Sequence, residues 1–406
     1  MKKLLLFLMV VTTIVACESD LANTPEDAKP IALKASLQKR INQDNAFAFD
    51  LLQNTIAKNT DENVTVSPLS VSIALGMAWN GANGATQSEM ETTLKMSGLT
   101  PDEVNEYYKV MNNALPTIDP TTKLSIANSI WYRKNFVVKP AFLEVNKTNF
   151  NAYVRELDFD QLWAKDTINN WCSVKTKGLI PTILEDIPQN AMMYLINAVY
   201  FKGIWCNKFD KKLTTESYFY PETGSSVKMN LMQQKDTLPY TTDELADYVD
   251  LPYGNKAFSM TVVVPKYGKT TAEVLKSMTV EKWNTTISAL KEQELQLSLP
   301  RFKSENKFLL NDPLIAMGMP LAFTGAADFS RMSNEHLLIS KVIHKTYISV
   351  DEDGTEVAAV TAIEMIKTSM PMYPIIRADH PFIFVIREKS TGVILFIGKM
   401  GKVEKV

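Results

Sequence analysis

Val350-Asp-Glu-Asp-Gly-Thr-Glu-Val-Ala-Ala-Val-Thr-Ala-Ile-Glu-Met-Ile-Lys-Thr-Ser-Met-Pro371 is the stretch on which the reading of this chain turns. Strand-like sequence flanks it, Lys345 to Val350 before and Pro381 to Arg387 after, both rich in β-branched or aromatic residues. A connection between two strands is expected to carry turn residues. From Thr355 to Ile363 there is neither Pro nor Gly, and a strict two-residue alternation separates two faces. Thr355, Val357, Ala359, Thr361 and Ile363 share one phase; Glu356, Ala358, Val360, Ala362 and Glu364 share the other. Both carboxylates fall on the second phase, so the first suits a core. The pattern is that of a spare strand held out as a loop, and on pattern alone an ordinary hairpin arm or a helix-forming linker stays open.

Glu352-Asp-Gly-Thr-Glu-Val-Ala-Ala-Val-Thr-Ala362 resembles the proximal hinge of the serpin family. Ile339-Ser-Lys-Val-Ile-His344 and Asp379-His-Pro-Phe-Ile-Phe384 resemble that family's flanking strands, and Lys202-Gly-Ile-Trp205 followed by Phe209 is similar to its signature at the top of a central strand. Departures are small: Val357 stands for a usual Ala, and Cys172 for a common aliphatic. The resemblance implies an α+β serpin fold with one large, mainly mixed β-sheet, two smaller sheets, about eight to nine helices and an exposed reactive-centre loop over residues 352-380.

At the start of the chain, Lys2 and Lys3 precede an apolar run from Leu4 to Val11, the pattern of a secretory signal too short to span a membrane permanently. Ile14-Val-Ala-Cys17 resembles a bacterial lipobox, which implies that residues 1-16 are removed and that Cys17 is acylated, for example with palmitate. Acyl chains add about 0.8 kcal/mol per buried methylene, so several would anchor firmly. Residues 17-40, polar up to about Ala35 and holding Pro25 and Pro30, read as a lipidated flexible tether. Residues 41-406 show no linker, repeat or low-complexity break and read as a single domain. The expected protein is exported, monomeric and lipid-anchored to the cell envelope, at the outer membrane of a Gram-negative bacterium, resembling bacterial lipoprotein serpins of the miropin type.

The formal net charge is -2, and loss of Lys2 and Lys3 with the signal makes it -4. No basic stripe is present, so nucleic acid is not an expected partner. Cys172 and Cys206 are the cysteines of the body; each follows a Trp, and two packed free thiols are favoured over a disulfide. No metal-ligand spacing or cofactor motif occurs.

A helix is expected from about Gln43 to Lys58, then a helix beginning at Pro68 with Ser67 as its N-cap and Ser70 one turn on. Thr86-Gln-Ser-Glu89 and Thr100-Pro-Asp-Glu103 read as capping boxes. Leu124 to Tyr132 and Tyr153 to Phe159 read as strands, Pro140 to Phe150 as a helix, and Thr167 to Ile180 resembles the family's helix lying across the sheet. Ala191 to Phe201 is near-continuously apolar, as in a strand covered on both faces. Its one polar side chain, Asn197, needs partners if buried.

Gly-x-Ser-x-Gly, His-Glu-x-x-His, Gly-x-Gly-x-x-Gly and P-loop motifs are all missing from the sequence. His336, His344 and His380 are the imidazoles from which a catalytic triad would have to draw. The resemblance gives His344 another place, in a sheet-opening cluster with Ser67, Ser70, Asn197 and Trp205, the last where the loop first enters. It implies a suicide-substrate inhibitor of serine proteases, with cysteine proteases as a second class. The hinge residues are then Glu352, Gly354, Thr355, Glu356, Val357, Ala358 and Ala359, none of the inserting side chains Thr355, Val357 and Ala359 being charged or bulky. Lys367-Thr368 is the expected reactive bond, with Thr368-Ser369 as its neighbour, aimed at trypsin-like proteases. Ile366, Thr368 and Met365 also suit elastase-like or chymotrypsin-like enzymes. The alternative is a non-inhibitory serpin-fold binding or chaperone protein.

Overall fold

A computed structural model describes residues 28–355, 373–403 and 405. The leader, Cys17, Glu356, Val357, Ala358, Ala359, Lys367 and Thr368 lie outside the described residues. Among those described, the helices are α1 (Ala35–Lys58), α2 (Pro68–Trp79), α3 (Gly84–Thr93), α4 (Pro101–Ala114), α5 (Pro140–Phe150), α6 (Ala164–Lys175), α7 (Thr271–Ser277), α8 (Val280–Ser288) and α9 (Asn311–Ala316). The strands begin with β1 (Asn63–Val66), β2 (Lys123–Arg133), β3 (Tyr153–Leu157), β4 (Met193–Lys202), β5 (Thr215–Phe219), β6 (Val227–Thr242), β7 (Ala246–Pro252) and β8 (Phe258–Pro265). They continue with β9 (Lys291–Pro300), β10 (Phe302–Leu309), β11 (Ile343–Asp351), β12 (Gly354–Thr355), β13 (Ile375–Arg377), β14 (Phe382–Glu388) and β15 (Ile394–Met400).

One nine-stranded mixed sheet runs β1-β15-β14-β8-β7-β6-β9-β13, with β5 also on β6; only the β13–β9 pair is parallel. Two three-stranded sheets complete the fold, β3-β2-β4 and β10-β11-β12. Strands β4 and β11 therefore lie in the two smaller sheets and not in the largest one.

Helix α2 is buried at every residue except Ala74, which is why its sequence is apolar all round. It sits in a core shared with α1 and the large sheet. A second cluster, with Ile168, Cys172, Ile196 and Ala198, packs α6 onto β2 and β4. Strand β4 is covered on both faces, as its composition suggests: Ile196 and Ala198 are buried under α6, and Leu195 and Val199 pack on the other side against the main core beside α2. Leu195, Asn197 and Val199 are nevertheless only half-buried.

Local sequence signals hold unevenly. Thr100 and Glu103 form the expected capping box. Thr86 and Glu89 do not: α3 begins at Gly84, and these side chains instead accept bonds from the backbone N–H groups of Asp328 and Leu321, pinning a distant segment. Ser67 holds the N-cap position of α2 without capping it; its hydroxyl donates to the Leu395 carbonyl. Helix α1 starts at Ala35, earlier than its apolar period indicates, and Ile31 and Leu33, within the stretch read as a tether, pack against the core.

Candidate functional site: a hinge between two strand edges

Both ends of the segment expected to be an exposed loop are folded. Glu352, Asp353, Gly354 and Thr355 are buried, and Ile375–Arg377 forms β13 along β9. The reason lies in a polar cradle built by the segment after β4 and by Arg301 between β9 and β10. The Glu352 carboxylate is gripped by the Arg301 guanidinium at 2.6–2.9 Å and by the Thr214 hydroxyl. Burial alone would raise the Glu352 pKa; the bonds from Arg301 and Thr214 reverse that and hold it below the usual carboxylate range. Trp205 donates its backbone N–H to Asp353 O and its indole N–H to Asp351 O, each at 2.9 Å, while Phe209 N–H donates to Glu352 O at 3.0 Å. The Trp205 ring stacks on Tyr253 at 4.4 Å, and the Tyr253 hydroxyl meets the Thr355 hydroxyl at 2.8 Å.

Gly354 is required here for two reasons. Its φ of +147° is one that residues with a side chain rarely adopt, and a Cβ would stand 2.1 Å from the Gly203 carbonyl oxygen. Through this close approach β12 wedges between two neighbours. Val350 pairs Thr355 and Asp351 pairs Gly354 on the β11 side, and Gly354 bridges Ile204 on the β4 side.

Beyond that wedge the two neighbours part. Strand β4 is paired only with β2, and β11 from Ile343 to Ser349 only with β10, among the described residues. Two strand edges thus face each other unpaired, an arrangement natural sheets normally avoid. Further along lies a cavity of about 690 Å³, floored by Ser70, Ala74 and Ala78 of α2 and walled by Asn197 and His344.

His344 accepts a bond from the Ser67 backbone N–H at its Nε2, 2.9 Å away, so the ring proton sits on Nδ1. Burial pushes its pKa down to about 4, which keeps the ring neutral. The Asn197 amide nitrogen donates to Asn128 Oδ1 at 2.6 Å, while its own Oδ1 is buried without a partner. Of the five residues expected to cluster, Ser70, Asn197 and His344 line the cavity, and Ser67 stands behind it, bonded to His344. Trp205 does neither; it stands at the hinge with Tyr253. Sequence reasoning missed Asn128, Tyr253, Arg301, Lys208, Lys211 and Asp353, whose partners lie far away along the chain and leave no local period to read. Cys172 is buried and Cys206 exposed, both free; burial pushes the Cys172 thiol up to about 11.

The family model described as Serpin (serine protease inhibitor) matches residues 42–403. Iripin-8 of Ixodes ricinus is 33% identical over 394 residues, covering 91% of this chain and 97% of that protein. Human neuroserpin is 33% identical, covering 85% and 87%. Among solved structures, the thermophilic serpin tengpin in its native state superposes with a TM-score of 0.84 at 33% identity, covering 93% of this chain and 97% of tengpin. Human thyroxine-binding globulin with its ligand gives 0.82 at 29% identity, covering 91% and 100%.

Proposed function

Because this chain belongs to the serpin family, a family of protease inhibitors rather than enzymes, we propose that it traps proteases by inserting its own cleaved loop between β4 and β11. The observation that carries this reading is the slot itself, with its two unpaired edges and its hinge already seated at one end. Continuing both observed ladders residue by residue gives the same answer on each side. From Val350–Thr355 the β11 register reaches His344 opposite Thr361, and from Ile204–Gly354 the β4 register reaches Asn197 opposite Thr361. In an antiparallel ladder opposed residues share a face. Thr355, Val357, Ala359, Thr361 and Ile363 would then join the buried face of β11, whose Val350, Ile348, Thr346 and His344 alternate with half-buried neighbours.

The chemistry follows from that geometry. The protease nucleophile attacks the Lys367 carbonyl carbon, the Thr368 amine leaves, and an acyl-enzyme ester joins the two proteins. The freed strand enters the slot and, at about 3.3 Å per residue, carries the ester about 45 Å from Gly354. Pull on the ester displaces the carbonyl oxygen from the protease's oxyanion donors, and water no longer completes the reaction. Lys367 suits trypsin-like targets, with elastase-like or chymotrypsin-like enzymes next, and Cys17 would carry the lipid anchor.

The second reading, a non-inhibitory binding protein, is favoured by the likeness to thyroxine-binding globulin. Mixing the protein with trypsin and running a denaturing gel separates the two. A complex that survives SDS and a higher melting temperature after loop cleavage are expected; cleavage without a complex would overturn the inhibitor reading. Detergent-phase partition of the native protein tests the anchor, and recovery in the aqueous phase without detergent would count against it.

A further inference from the structure

Three acids in a row, Asp351, Glu352 and Asp353, precede the hinge glycine, and each is spent differently. Asp351 Oδ1 accepts the Asp353 backbone N–H at 2.9 Å, and Glu352 is held by Arg301 and Thr214. Asp353 is the unexpected one. Its carboxylate is only 3% exposed, yet two ammonium groups converge on it, Lys208 Nζ at 3.0 Å on Oδ1 and Lys211 Nζ at 2.7 Å on Oδ2. Both lysines are 39% exposed, so the cations keep part of their hydration while the carboxylate gives up its own. The bond to Asp353 raises the Lys211 pKa.

We propose that Asp353, Lys208 and Lys211 form an ionic clasp that fixes the stationary end of the hinge and sets the register of the inserting strand, making Asp353 a positioning residue. This rests on the loop-insertion reading. Both lysines come from the segment that follows β4, and the Asp353 carbonyl accepts the Trp205 N–H from the same segment. The residue next to Gly354 is thus tied to the β4 wall through backbone and side chain together. Register matters because strand side chains alternate with a period of two. A slip by one residue at Gly354 turns Glu356 and Glu364 toward the buried face and Thr361 away from His344 and Asn197. The close fit of Gly354 against Gly203 and the bonds of Thr355 oppose such a slip on one side. On the other side Asp353 adds a charged anchor that the backbone alone does not supply.

The test uses the whole chain and two readouts. Amide exchange over residues 350–355 in the uncleaved protein needs no protease, and the number of inhibitor molecules consumed per trypsin trapped reports insertion. In Asp353→Asn, exchange there is expected to rise about fivefold and consumption about threefold, with Asp353→Glu recovering most of both. Lys208→Met with Lys211→Met, at partly exposed positions that folding tolerates, is expected to match Asp353→Asn and to add nothing to it, since all act through one carboxylate. A merely structural role would lower the melting temperature and leave consumption at 25 °C unchanged. Unchanged exchange in both the aspartate and the lysine variants overturns the clasp whether or not trypsin is trapped. Failure of the unaltered protein to trap trypsin overturns loop insertion instead, while the exchange data still judge the clasp.

Discussion

The two ends of the slot between β4 and β11 are finished to opposite standards. At the hinge end, Thr355 donates its N–H to Gly203 O at 2.7 Å, Glu352 and Asp353 have their cations, and Trp205 spends both of its N–H groups on the hinge backbone. At the other end, Asn197 Oδ1 is buried with no partner among the described residues, His344 lines a cavity, and β4 shows half-buried apolar side chains. A buried polar group left unpaired costs about 1–3 kcal/mol, and a run of strand edge without a ladder adds to that. On the proposed reading the closed end stays and the open end is filled. A segment that fills it would have to be extended, start from Gly354 and offer a polar group to Asn197 and His344, both of which line the cavity.

The largest effect is expected where the first inserting side chain meets the closed end. Thr355 is 2% exposed against the Tyr253 hydroxyl, with no carboxylate among its partners. Thr355→Arg would force an unpaired guanidinium into that site, and burying such a charge is prohibitive, so the hinge must leave its seat. Trypsin should then cleave the loop and depart, with no complex on a denaturing gel. Trapping at the level of the unaltered protein would mean that strand entry does not begin at Thr355.

Next comes the Arg301–Glu352 pair. Removing one partner of a buried ion pair leaves the other without compensation, at about 3–5 kcal/mol. Arg301→Met is expected to destabilise the uncleaved protein by the lower part of that range, because Arg301 is 30% exposed and Thr214 still serves Glu352. Urea unfolding measures it; a midpoint equal to that of the unaltered protein would show that the cradle stands without the pair.

How much of this was legible beforehand divides along the same line. The alternation of Thr355 to Ile363 is local, and it pointed to a spare strand, whereas the point of entry at Trp205 came from the resemblance of Lys202-Gly-Ile-Trp205 to the family signature. Ser67, Ser70, Asn197 and His344 were found through resemblance, which carries spatial information that spacing lacks. Burial of Glu352 to Thr355 was not legible, because acids before a glycine look solvated until Arg301, Lys208 and Lys211 are brought to them from elsewhere. The apolar run of β4 correctly indicated cover on both faces, but the half-burial of Leu195 and Val199 was not legible, because composition records what a strand packs against and not whether its edge is paired.

His344 gives a smaller, pH-dependent effect at the open end. Its folded pKa of about 4 lies below the ordinary 6.5, so between those values the unfolded chain binds more protons than the native one. The contribution is complete above pH 6.5 and is lost as the pH falls toward 4, amounting to about 3 kcal/mol at most. His344→Gln keeps a polar side chain of similar size and removes the titration. Unfolding at about pH 7 and about pH 4.5 should show a smaller acid loss in the variant than in the unaltered protein. Equal losses would place the proton uptake elsewhere.

The finest probe of the contrast is a single hydroxyl. If both ladders continue as they begin, Thr361 arrives between Asn197 Oδ1 and His344 Nδ1–H after cleavage, and its hydroxyl, which both donates and accepts, answers the two groups at once. Thr361→Val keeps the shape and removes the hydroxyl, so the cleaved form should lose about 1–3 kcal/mol while the uncleaved form loses nothing measurable. Thr361→Ser should restore the cleaved form, since the hydroxyl and not the methyl meets the polar pair. Heat stability of the four species, each variant before and after trypsin, decides the matter. A loss that appears equally before cleavage would assign Thr361 a role in the resting protein, and no loss after cleavage would mean that the β4 and β11 registers do not converge on residue 361.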